Sequence, residues 1–145
     1  MVLLALSSTA SEQANATEMA KKNVLQLLDY LPTKPEAKVC YYASGIVLNI
    51  YADASYLGES RAHSHVAGQY VLGKIPKKDQ PIVMNGAIYI FCGIPKFVVS
   101  SVAEAELGAL FLNCKEGKII HLILEESGYE QPPTPIHCGN VRHCQ

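Results

Sequence analysis

The sequence predicts an α/β domain in which helices pack on a mixed sheet. Two changes of hydrophobic period carry that prediction. Helical spacing before residue 32 gives way to three β-branched and aromatic runs between residues 46 and 92, and helical spacing returns from Ser100. The chain length, 145 residues, allows one domain with a real core and is too short for two comfortable ones. Apolar residues at 49% and charged residues at 17%, with no long Gly/Ser/Pro tract or repeat, exclude a disordered tail.

Residues 1–15 are ambiguous, a small apolar patch followed by small polar residues. Thr17 is a plausible N-cap with Glu18 in the first turn, and Met19, Val24, Leu27, Leu28 and Leu31 recur at helical spacing, so a helix is predicted over 17–31. Pro32 and Pro35 end it. A first strand is predicted at 46–51, closing on Ala52-Asp53-Ala54-Ser55. A second lies around 66–75, interrupted by Gly68 and closed by Pro76-Lys77-Lys78-Asp79. A third covers 87–92, after the turn dipeptide Asn85-Gly86. Short, turn-rich loops between them predict an antiparallel meander. Ser101 can cap the next helix, with Val102, Leu107, Leu110, Phe111 and Cys114 as its inward face. A second helical run is predicted over 118–127, stopping at Gly128, and Pro132-Pro133-Thr134-Pro135-Ile136 leads into a short fourth strand.

The net charge of −1 offers no general attraction for phosphate backbones, which counts against tight nucleic-acid binding. The opening apolar stretch, residues 2–6, is too short to span a bilayer, and it lacks the basic flank and apolar length of a secretory signal. No membrane association is therefore expected. The cysteines, Cys40, Cys92, Cys114, Cys138 and Cys144, are five in number and irregularly spaced, and three lie in apolar runs. That pattern predicts reduced, partly buried thiols in an intracellular protein, cytoplasmic or nuclear.

Asp53 closes an apolar strand, where a carboxylate is costly to bury unless it is paired or bound to a metal. Glu104 and Glu106 lie in the first turns after Ser100-Ser101. Taken singly, Asp53 reads as a turn residue and the glutamates as acids favoured by a helix N-terminus. Together they point further. Asp53-Ala54-Ser55-Tyr56 after a strand, then "ESRAHSHVAGQYVLG", "SSVAEAELGAL", "LEESGYEQPPTPI" and "HCGN", resembles the ribonuclease H-like domain of copia-type retrotransposon polyproteins. The leading "ALSSTASEQANATE" and "LQLLDYLPTKPEAKVCYYAS" are similar to the connection segment that precedes it in the reverse transcriptase region. The resemblance covers nearly the whole chain, and it rests on order and spacing rather than on any single motif.

That resemblance implies a helical connection segment over 1–44 and a ribonuclease H-like domain over 45–145. Its sheet would have three antiparallel strands and a fourth running parallel beside the first. The reaction it implies is hydrolysis of RNA in RNA–DNA hybrids with two Mg²⁺ ions, held by carboxylates because hard oxygen ligands suit Mg²⁺. By motif match Asp53 would be the first-strand metal ligand and Glu106, in Glu-Leu-Gly-Ala, the helix ligand, with the two facing each other across strand and helix. Glu104 would be a neighbour on another face.

Departures from the pattern matter as much. Gly139-Asn140 stands where the family has Asp-Asn, so the third carboxylate is lost. Gln145 comes before the strand and helix that bring the fourth, which makes a domain lacking its C-terminal part the expectation. Losing members of a set that acts as a unit costs about 10³ or more in rate, so an inactive pseudoenzyme is expected. Two other readings stay open. A sheet without its last strand would expose an edge that invites a protein partner or self-association. His137, Cys138, His143 and Cys144 could form a small zinc site, although neighbours on a strand point to opposite faces. His63 and His65 share a strand face and could chelate, but read more simply as exposed replacements for basic side chains. Lys74, Lys77 and Lys78 read as a solvated turn.

Overall fold

A computed structural model of the protein describes residues 2–15, 17–56, 64–77 and 85–138. Its first helix, α1 (Val2–Ser11), occupies the stretch whose sequence shows no clear period. The Thr17 hydroxyl accepts from the Ala20 amide at 3.1 Å and opens α2 (Glu18–Tyr30), as the capping residue predicts. Pro32 falls inside a 3₁₀ turn, Leu31–Thr33, that ends it.

Three strands follow as a meander: β1 (Val47–Ser55), β2 (His65–Gly73) and β3 (Ala87–Gly93), each antiparallel to the next. The fourth, β4 (Ile136–Cys138), runs parallel to β1, and the sheet order is β3-β2-β1-β4. The first strand extends past Tyr51 because its ladder with β2 continues to Ser55 opposite His65. Asp53 therefore lies within the ladder, opposite Ala67, rather than in a turn.

The two helices predicted after Ser100 are one, α3 (Val102–Glu126), 25 residues long. The stretch where the two predicted runs meet, Asn113 to Lys118, contains two inward-facing residues. Asn113 is fully buried; its amide donates to the Ala67 and Ala109 carbonyls and its Oδ1 accepts from the Tyr70 hydroxyl at 2.8 Å. Gly117 lies against Ile50, whose Cδ1 fills the space a Cβ would take.

The inward face of α3 also differs from the expected one. Val102, Leu107, Phe111 and Cys114 are exposed, Leu110 is half-buried, and the residues against the sheet are Ala105, Ala109, Asn113 and Gly117. These recur every four residues and so share one stripe. Their small size lets the helix approach the sheet closely, and β2 answers with Gly68, where a Cβ would overlap the Asn113 amide. Leu48, Ile50 and Tyr70 form the core beneath, surrounded by Leu72, Phe91, Ile120, Leu124 and Ile136. Burying a side chain such as Leu48 contributes about 1.5–3 kcal/mol.

Gln131 ties the start of β1 to the segment between α3 and β4. Its Oε1 accepts from the Leu48 amide, and its Nε2 donates to the carbonyls of Ile46 and Tyr129. The same grip holds Ile46 at φ 55, a backbone region that β-branched residues rarely adopt.

Candidate functional site

Asp53 stands exposed near the end of β1, and its Oδ1 accepts from the Ala54 amide at 3.0 Å. Strand alternation sets Asp53 in file with Tyr51 and Ser55, whereas Ile50 and Ala52 belong to the file beneath α3. Glu106 is half-buried in the second turn of α3. Burial pushes its carboxyl above the usual carboxylate range, and the charge of Asp53 adds to the shift. The charge of Asp53 is thus felt at Glu106, although the file that holds Asp53 is the one turned away from α3, which is not the face-to-face arrangement the resemblance implies.

Glu104 has a different task. Its Oε2 accepts from the Ser100 amide at 2.7 Å and the Ser100 hydroxyl at 2.9 Å, which holds its pKa below the usual range. The Glu104 amide in turn donates to the Ser101 hydroxyl at 3.1 Å. This is a reciprocal cap one residue wider than the usual capping box, and it fixes the start of the helix that carries Glu106. Tyr56 completes the alignment: its hydroxyl donates to the Ser100 carbonyl at 2.9 Å, tying the end of β1 to the start of α3. Sequence reasoning gave Tyr56 no role. Its place directly after Asp-Ala-Ser was the only signal.

The sheet face in file with Asp53 carries an open groove of about 530 Å³, lined by Leu3, Tyr51, Gln69, Ile90 and His137 among others. Tyr51 and His137, paired across β1 and β4, stack with ring centroids 4.7 Å apart and planes 15° from parallel. Burial raises the Tyr51 pKa. The His137 Nε2 is buried with no hydrogen-bond partner among the described residues. His65, expected to be a solvent-exposed substitute for a basic residue, is instead buried, with Nε2 3.2 Å from the Ser7 hydroxyl of α1. The reason is the position of α1, which packs on the sheet beside β3. His63 lies outside the described residues, as do Lys78, Gly139, His143 and Cys144; Lys74 and Lys77 are exposed.

Two of the described thiols are partly buried, as their apolar surroundings predict, and two are not. Cys40 and Cys114 are exposed and Cys92 and Cys138 half-buried, because Cys114 falls on the outer side of α3 and Cys40 in an extended segment before β1.

Asp53 and Glu106 are oxygen donors of the kind Mg²⁺ takes, and their mutual repulsion is what a cation would relieve. Two carboxylates do not make a site for two ions, however, and Gly139 brings no third. No cluster of three or more His, Cys, Asp or Glu able to hold a metal occurs among the described residues. Of the residues of the zinc reading, His143 and Cys144 lie outside the described residues, and His137 and Cys138 are consecutive in β4 and so face opposite ways. No helix among the described residues is long and apolar enough to cross a membrane. No protein-family model, curated protein or solved structure matches the chain.

Proposed function

We propose that this chain is a ribonuclease H-type domain of the copia retrotransposon kind in which hybrid cleavage has been lost. The observation that carries the proposal is the order of elements around a mixed β3-β2-β1-β4 sheet, with Asp53 on an inner strand and Glu106 on the helix that follows β3. That order of elements is what the resemblance implies for the family. Loss of activity rests on Gly139 at the place of the third acid. RNA–DNA hybrid is then the ancestral substrate, and Mg²⁺ the ancestral ion.

The test is a hybrid-cleavage assay on the purified chain with Mg²⁺, paired with carboxyl NMR. Cleavage no faster than a protein-free control is expected, together with weak Mg²⁺-induced shifts at Asp53 and Glu106. Gly139→Asp is expected to tighten Mg²⁺ by about tenfold or more, on the scale that single changes around metal sites produce. Hybrid cleavage that Asp53→Asn abolishes would refute the inactive reading. Carboxyl resonances that ignore Mg²⁺ in both proteins would refute the nuclease ancestry.

A further inference from the structure

The outer strand β3 reads Ala-Ile-Tyr-Ile-Phe-Cys-Gly, with neither charge nor proline. Sheets ordinarily blunt an edge with lysine, proline or a covering element. Here the nearest charged residue downstream is Lys96, and although α1 lies beside β3, Ile88, Tyr89 and Ile90 are all exposed, at 43%, 39% and 48%. Successive strand residues point to opposite faces, so a helix laid on one face would cover only some of these three. A strand added at the edge reaches both faces at once and also takes up the outward backbone groups. One bulge, where Val71 pairs with Ala87 and Tyr70 with Tyr89, disturbs the start of the strand; pairing is regular from Tyr89 to Gly93.

We propose that β3 pairs antiparallel with β3 of a second copy of this chain, joining two four-stranded sheets into one. A two-fold axis through Ile90, the midpoint of β3, places Ile90 opposite its own counterpart and Tyr89 opposite Phe91 twice over. Aromatic and β-branched cross-strand pairs of this kind are the favourable ones, and the strand brings no like charges into opposition. The start of β3 is already engaged within the chain, since the Tyr41 hydroxyl donates to the Ala87 carbonyl at 2.9 Å. The shared ladder is therefore centred on Tyr89–Phe91. This edge lies at the other end of the sheet from β4, and the proposal does not depend on the nuclease reading.

Analytical ultracentrifugation of the full chain across a concentration series tests it, with amide hydrogen exchange read at both ends of the series. A monomer–dimer equilibrium is expected, with slower exchange at Tyr89, Ile90 and Phe91 as dimer forms. Ile88→Lys with Ile90→Lys, both on exposed positions, is expected to leave the far-UV CD spectrum unchanged and the protein monomeric. If that variant misfolds, exchange in the unaltered chain decides alone. A chain that stays monomeric at the highest concentration overturns the proposal. So does a dimer whose β3 amides exchange at the monomer's rate, which would place the contact on another surface such as the outer side of α3.

Discussion

Glu106 holds its proton more tightly in the folded chain than in the unfolded one, because burial and the nearby Asp53 charge both oppose ionisation. The folded state then binds more protons, so this group lowers stability as pH rises from the unfolded pKa through the higher folded one. Glu106→Gln is expected to raise the melting temperature at neutral pH and to leave it unchanged where carboxyls are protonated in both states. Thermal melts at the two pH values check this. Glu104 works in the opposite sense: its folded pKa is depressed by Ser100, so its contribution is present above the unfolded pKa and disappears as pH falls through the folded one. Glu104→Gln should therefore destabilise at neutral pH and have little effect in acid. Both positions were legible in the sequence. Ser101 and Glu104, three apart, spell a helix start, and Glu-Leu-Gly-Ala singles out Glu106. What no spacing could reveal is that Ser100, rather than Ser101, holds the Glu104 carboxylate.

Helix α3 shows how a sequence pattern can point to the wrong face. Spacing points to Val102, Leu107, Leu110, Phe111 and Cys114 as the inward face, yet all but the half-buried Leu110 are exposed, while alanine, asparagine and glycine meet the sheet. Hydrophobic period identifies a buried stripe only when the buried residues are the larger ones. Here close approach takes the place of bulk, and close approach needs a glycine on the opposing strand. The strands were more legible, because β-branched and aromatic runs bounded by turn residues leave fewer alternatives. Gly68→Ala is expected to push the Asn113 amide from its seat, breaking its bond with the Tyr70 hydroxyl in a buried site. Overpacking and an orphaned polar group each cost about 1–3 kcal/mol. Denaturant melts should show a fall in unfolding free energy of that order, and a near-silent Gly68→Ala would mean the helix can lift away freely.

At the scale of the whole molecule, one side chain links the beginning of the sheet to its end. Gln131 satisfies the Leu48 amide and the Ile46 carbonyl together, and both become orphans if it is lost. Gln131→Leu, which keeps the approximate size, is expected to cost about 2–3 kcal/mol, from desolvated groups left unpaired. Equilibrium unfolding measures this directly. That dependence was invisible in the sequence, where Gln131 stands in an unremarkable Gln-Pro-Pro connection. The clamp also has a kinetic side. Its partners Leu48 and Gln131 are 83 positions apart along the chain, whereas the β1–β2 and β2–β3 pairings join near neighbours. Contacts between distant segments carry the largest loop-closure entropy and form late. The meander should therefore assemble first, with the 129–138 segment docking last and, under mild denaturant, detaching first as a separate cooperative unit.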